Sequence, residues 1–303
     1  MSKTLPVVRA GSPGHAPVFD KIGIVGLGLM GGSLALAARE VWPSALVIGV
    51  DEKDVLERAM VQHAIDVAAD DLVVIAEADV IVLAAPVEEN VSLLARLDEL
   101  VPGPAIVTDL GSTKRAIVTA ARKLPPRFTF VGGHPLAGAA RAGIDHARAD
   151  LFKGRPWILT PDRDDAGQTI DRLFAFVTAL GAVPRLMSPD AHDRLLAFLS
   201  HLPQLTASAL MRIVGEEAGT DGLALAGRGL ADTTRLASSP ARIWREVCAT
   251  NVDHIGDALD QLIRDLQALR GDLAKGDTLE RIFGAAAEWK ARMPGERPRP
   301  DGS

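Results

Sequence analysis

Short apolar runs recur along the first 187 residues, each stopping at glycine, proline or a polar residue before a stretch of helical composition. KIGIV (21–25) flows directly into glycines, and Leu34 to Val41 then has the composition of a helix, so the segment predicts strand, turn and helix. ALVIGVD (45–51), ADVIVLAAP (78–86) and PAIVTDLGS (104–112) repeat the pattern. FTFVGGHP (128–135) and RPWILTP (155–161) read as further strands, and GAVPRLM (181–187) closes the series after the amphipathic stretch Gln168 to Leu180. Strands alternating with helices imply an α/β domain built on a doubly wound, mainly parallel sheet.

Beyond Ser188 the strand-like runs vanish. Leu195, Leu196, Leu199, Leu202 and Leu205, and later Ile255, Leu259, Leu262 and Leu266, recur at helical spacing, which predicts an all-helical C-terminal domain. The chain of 303 residues is long enough for two domains of about 100 to 200 residues each. The expected division is a flexible extension (1–20), a dinucleotide-binding domain (21–187), a helical substrate and dimerisation domain (188–290) and a disordered tail (291–303). Helices so rich in apolar faces often pair with their own copy, so a homodimer through the helical domain is expected.

Composition narrows the function. A net charge of −6 disfavours a nucleic-acid partner bound by a broad basic face and favours a small metabolite. The first twenty residues hold no apolar run long enough for a signal-peptide core or a membrane span, so no membrane partner is expected. Cys248 is the only cysteine, which excludes an internal disulfide framework and a cysteine-rich zinc site and points to a reducing compartment, the cytoplasm. No metal is called for.

GLGLMGG places Gly26, Gly28 and Gly31 in a GxGxxG pattern between a strand and a helix. In a Rossmann-type domain the first glycine permits the tight turn, the second admits a pyrophosphate and the third lets helix and strand pack closely. Backbone N–H groups at the helix start, Leu29 and Met30, would hold the phosphates, with Ala85 and Pro86 at the end of the 78–86 run completing the cofactor contacts. Asp51 ends the second run, where an acidic residue holds a ribose diol. Glu52 follows, and two negative charges would repel a 2′-phosphate, so NAD is expected over NADP, although Lys53 is a contrary sign.

The chain has no tyrosine, which excludes dehydrogenases that relay a proton through a Tyr and Lys pair. Of the histidines, His15, His63, His146 and His254 read as solvated or structural. His134 in VGGHPLAG sits at a strand end between a glycine pair and a proline, where ligands of open α/β sheets bind. Ser112 in TDLGSTK lies beyond the fourth run and reads equally as a site residue or a helix N-cap. In HDRLLAFLSHLPQL, with Pro203 interrupting the helix, Ser200 and His201 are cleft candidates, whereas capping is as good a reading of His192 and Asp193 as substrate contact. Arg235 beside a Thr pair suits bidentate capture of a carboxylate, or is a surface residue.

Taken in order, KIGIVGLGLMGGSLA, DVIVLAAP, TDLGSTK, GGHPLAGAARAGIDHARADLFKGRPWILTP, SHLP and DTTRLASSPARIW resemble the prephenate/arogenate dehydrogenase family over roughly residues 21 to 250. The resemblance implies NAD-dependent oxidation and decarboxylation of prephenate or arogenate in tyrosine biosynthesis. His134 would then accept the proton of the ring hydroxyl, Ser112 would hydrogen-bond that hydroxyl, Arg235 would clamp a substrate carboxylate, and Ser200 and His201 would line the cleft. Two departures stand out. Ala139 and Ala140 occupy positions where many members carry Thr or Ser followed by Glu, and Gln204 follows SHLP where histidine is common. A neutral Gln204 in the substrate site lacks the charge that would favour the amino group of arogenate, which leans toward prephenate. No carboxy-terminal regulatory domain fits in the remaining length, so any feedback by tyrosine would have to act at the active site.

Three rivals stay open on sequence. A relative could act on an amino analogue of prephenate. A β-hydroxyacid dehydrogenase would share GLGxMG but would need a central-helix lysine, and none occurs between Ser188 and Lys275. An NAD-binding sensor without activity would leave His134, Ser112 and Arg235 unexplained.

Overall fold

The computed structural model describes residues 16–138, 141–162 and 167–293. His15, Ala139, Ala140, most of the expected extension (1–15) and most of the expected tail (294–303) therefore lie outside the described residues. The chain forms two compact units, Met1–Val252 and Asp253–Ser303.

The first unit is organised by a six-stranded sheet in the order β3-β2-β1-β4-β5-β6, with every pairing parallel. Its strands are β1 (Lys21–Val25), β2 (Leu46–Val50), β3 (Val67–Ala69), β4 (Val80–Leu83), β5 (Ala105–Asp109) and β6 (Phe128–Phe130). The crossovers are α1 (Leu29–Val41), α2 (Lys53–Val61), a 3-10 turn (Leu72–Glu77), α3 (Val87–Leu100) and α4 (Arg115–Ala121). β4 and β5 are buried at every residue. Parallel strands covered on both faces read as unbroken apolar runs, which is why these two stood out in the sequence. β1 lies between β2 and β4, so the direction of winding reverses there and opens a crevice at the strand ends.

Two features differ from expectation. β3 is a short edge strand with no buried residue, too weakly apolar to show as a run. FTFVGGHP is not one strand but two. The N–H of Val131 still bonds to Val107 O (3.0 Å), whereas the N–H of Gly133 turns to the Asp109 side chain (3.0 Å) instead of a strand carbonyl. The chain then leaves the first sheet and begins a second, in the order β7 (Gly132–Pro135), β8 (Pro156–Thr160), β9 (Val183–Leu186), with β7 antiparallel to β8 and β8 parallel to β9. α5 (Gly167–Ala179) joins β8 to β9, and its Phe176 stacks on Trp42 (centroids 5.2 Å apart) and meets the edge of Phe19 (5.4 Å).

From Pro189 the described chain is helical: α6 (Pro189–Leu196), α7 (Leu202–Leu223), α8 (Arg228–Thr233), a 3-10 turn (Arg235–Ser238), α9 (Ala241–Thr250), α10 (Val252–Gly271) and α11 (Asp277–Arg292). Between α6 and α7 a π-helical turn spans Ala197–His201. Pro203 has no N–H to return to the preceding turn, and the wide turn absorbs the mismatch. Ser200 and His201 sit on it. Among the described residues, no helix is long and apolar enough to cross a membrane.

Candidate active site

The glycine loop closes over the end of β1. Gly26 has φ +93°, and a Cβ there would stand 2.8 Å from the backbone of Ala84 and Ala85, so conformation and space both demand glycine. A Cβ on Gly31 would fall 1.8 Å from Gly26 O, which sets how closely α1 approaches the loop. Gly28 faces open space, with nothing within 4 Å of where its Cβ would be. That bare backbone at the start of α1 is the cradle a pyrophosphate needs. Asp51 receives the N–H of Leu27 (2.5 Å) and of Glu52 (2.7 Å), so its carboxylate is aimed at the loop and keeps lone pairs for a ribose diol. The residues present fit a dinucleotide.

Beyond β5 a buried lock ties the segment holding Ser112 to the strand holding His134. Asp109 accepts the N–H of Gly111 (2.8 Å) and of Gly133 (3.0 Å), and it pairs with Lys114. Lys114 also donates to Gly133 O (2.7 Å). Both side chains of the pair are 0% exposed. Burial lowers the Lys114 ammonium from its ordinary value, against the opposing pull of Asp109. Ser112 caps nothing: the N–H groups that open α4, those of Lys114 and Arg115, go to Asp193 (2.7 and 2.9 Å).

His134 is half-buried, and its Nδ1 lies 2.8 Å from His192 Nε2, while His192 Nδ1 lies 2.8 Å from Asp193 Oδ1. A carboxylate only accepts, so His192 carries its proton on Nδ1 and offers the Nε2 lone pair. His134 must therefore donate from Nδ1, which leaves its own Nε2 unprotonated. That nitrogen has no protein partner and is not among the sealed, unpartnered polar atoms of the described residues. Burial, with His192 and Lys114 nearby, holds His134 well below the usual imidazole range. Burial lowers His192 too, despite its bond to Asp193. Burial alone would raise Asp193, but His192 and the N–H groups of Arg115 and Lys114 outweigh it and keep the carboxyl low. The result is a neutral imidazole with a free lone pair, oriented by a histidine that is oriented by a carboxylate.

His192 and Asp193 are thus central, and neither caps its own helix: Ser188 does, accepting the N–H of Ala191 (3.2 Å). Their signal in the sequence was a polar pair amid leucines. His201 is buried, with Nδ1 3.3 Å from Asn251 Nδ2, and burial lowers it to about 4. Gln204, one turn on, spends its amide on Leu236 O (2.8 Å), Ser208 (3.1 Å) and Ser239 (3.0 Å), pinning the turn that carries Arg235. The Arg235 side chain is exposed and has no hydrogen bond or ion pair among the described residues. Ser200 is half-buried on the π-turn. His63 and His146 are exposed.

Two family models match, described as prephenate dehydrogenase, nucleotide-binding domain (residues 34–186) and prephenate dehydrogenase, dimerization domain (residues 188–284). The prephenate dehydrogenase of Bacillus subtilis (strain 168) is 34% identical over 283 residues, covering 91% of this chain and 76% of the relative. The cyclohexadienyl dehydrogenase of Zymomonas mobilis is 32% identical over 265 residues, covering 86% and 90%. Among solved structures, a prephenate dehydrogenase from A. aeolicus in complex with hydroxyphenyl propionate and NAD+ superposes with a TM-score of 0.82 at 26% identity, covering 90% of this chain and 98% of that one. The two family models and the Bacillus subtilis relative agree with the glycine loop: the chain belongs to the prephenate dehydrogenase family.

Proposed function

We propose that the protein is an NAD-dependent oxidoreductase that oxidises and decarboxylates prephenate to 4-hydroxyphenylpyruvate, with arogenate to tyrosine as the alternative reaction. The observation that carries this reading is the unprotonated Nε2 of His134, presented by the relay through His192 to Asp193. Gly26, Gly28 and Gly31, the α1 start at Leu29 and Met30, Asp51, and Ala85 with Pro86 would hold NAD, which when bound accepts the hydride.

The base has one task. As the ring carbon bearing the hydroxyl gives up its hydrogen with both electrons, His134 Nε2 takes the hydroxyl proton and a carbon–oxygen double bond forms. The bond to the ring carboxylate then breaks, its electron pair aromatises the ring and reaches the oxygen, and His134 returns the proton. Carbon dioxide leaves and His134 is regenerated. Ser112, freed of any capping role, hydrogen-bonds the reacting hydroxyl. Arg235 clamps a carboxylate, Ser200 and His201 line the cleft, and Gln204 acts by holding the Arg235 turn.

None of Ser112, His134, Ser200, His201, Gln204 and Arg235 is a carboxylate that could pair with an ammonium, which supports the keto acid over its amino analogue. A homodimer formed through the helical region fits the match to a dimerization domain, and a cytoplasmic location fits the single cysteine.

NADH formation measured with prephenate, with arogenate and with neither tests the reading. Turnover is expected with prephenate above arogenate, and with NAD above NADP; no NADH with either acid would end it. Because a lowered His134 stays neutral below the ordinary value of 6.5, kcat/KM is expected to stay flat from pH 8 down past 6.5 and to fall only in more acid solution. A pH–rate profile with its acid limb above 6.5 would show that another group is the base. Arg235→Gln should raise KM about tenfold to a hundredfold with kcat little changed, the scale of a charge-assisted hydrogen bond. An unaltered KM would move the clamp elsewhere.

A further inference from the structure

Asn251 ends α9, is 0% exposed, and takes no part in the chemistry described so far. Its amide is fully engaged. Oδ1 accepts from the Arg115 guanidinium (3.1 Å), and Nδ2 donates to the backbone carbonyl of Asp193 (2.8 Å) and faces Nδ1 of His201 (3.3 Å). A guanidinium only donates and a backbone carbonyl only accepts, so its partners fix which end of the amide is oxygen. The nitrogen end meets His201, and an amide nitrogen offers only hydrogens.

His201 Nδ1 must therefore be the acceptor and carry no proton. In a neutral imidazole the proton then resides on Nε2. Among the described residues that nitrogen has no partner, and it is not one of their sealed, unpartnered polar atoms. We infer that Asn251 is a positioning residue that fixes His201 as an Nε2–H donor toward an anionic or carbonyl oxygen of the substrate, and that it braces Asp193 at the same time. This rests on the reading that His201 faces the substrate.

The arrangement differs from that at His134. Both imidazoles are neutral, but a carboxylate at the far end of one relay leaves a lone pair facing out, whereas an amide at the other leaves a proton facing out. Asn251 is thus what makes two neighbouring histidines chemically opposite. The titratable groups around His201 are Asp193 and His192 on α6 and His134 on β7, with Arg115 of α4 behind Asn251; Trp244 of α9 meets the ring edge-on (6.0 Å) and carries no charge.

The tautomer is read directly by long-range proton–nitrogen NMR of the full, substrate-free chain at pH 7, with the His201 signals assigned by their loss in His201→Gln. An unprotonated Nδ1 and a protonated Nε2 are expected; the reverse tautomer would overturn the inference whatever the substrate is. A second arm uses Asn251→Asp, whose carboxylate accepts from Nδ1–H and raises the His201 pKa. Once that imidazole loses its second proton, Nε2 turns a lone pair toward the substrate. The KM for prephenate of Asn251→Asp should then climb about tenfold between pH 6 and 8 while that of the unaltered enzyme stays level. Parallel KM profiles would contradict the inference. Absence of wild-type turnover would instead sink the proposed function and leave the tautomer measurement to decide the role of Asn251.

Discussion

His134→Asn is expected to lower kcat by about a hundredfold or more while NAD affinity stays nearly unchanged. Asparagine can keep a hydrogen bond toward His192 where Nδ1 now donates, but nothing in it reaches the position of Nε2 or offers a comparable proton acceptor. The dinucleotide cradle lies in a different loop, at Gly26 to Gly31, and is not touched by the change. Steady-state turnover with a parallel NAD titration separates the two effects. An unchanged kcat would remove His134 from its role as base, and a lost NAD affinity would mean that the variant had disturbed the fold instead.

The largest effect on stability is expected from Lys114→Met. Removing one partner of a buried ion pair leaves the other charge without compensation, at a cost of about 3 to 5 kcal/mol. Asp109 would keep only the N–H groups of Gly111 and Gly133, and Gly133 O would lose its donor. Because the lock joins the Ser112 segment to the His134 strand, kcat should fall as well. Chemical denaturation measures the loss, and adding Asp109→Asn should give a double variant less damaged than the two single losses summed. A destabilisation below about 1 kcal/mol would show that the pair contributes little to holding the site.

How much of this was legible in the chain depended on the range of the interaction concerned. The glycine loop was readable because its demands are local: a positive φ at Gly26 and the close approach of Gly31 to Gly26 O need only a few consecutive residues. The buried strands β4 and β5 were readable as unbroken apolar runs. The break between β6 and β7 was not, because it depends on the Asp109 carboxylate, 24 residues away, taking the N–H of Gly133. β3 has no buried residue and so left no apolar signature.

The candidate site divided in the same way. His134 and Ser112 were found through strand-end position. The relay was not, since His134 meets His192 across 58 residues, and Asp193 meets the Lys114 and Arg115 N–H groups that hold it across 79 and 78. A polar pair on a leucine-rich helix hinted at it, yet helix capping explains such pairs equally well until Ser188 is seen to supply the cap. Lys114 gave no sign of burial beyond its place in TDLGSTK. Asn251 gave none at all, and its importance follows only from the three groups that surround its amide.

All of the proposed chemistry turns on where the free nitrogen of His134 points. The crystal structure of the ternary complex with NAD+ and 4-hydroxyphenylpyruvate measures it. The phenolic oxygen is expected within hydrogen-bond reach of His134 Nε2, about 2.6 to 3.2 Å, with His134 Nδ1 still bonded to His192. A product ring bound elsewhere, with the imidazole more than about two water diameters from its oxygen, would contradict it.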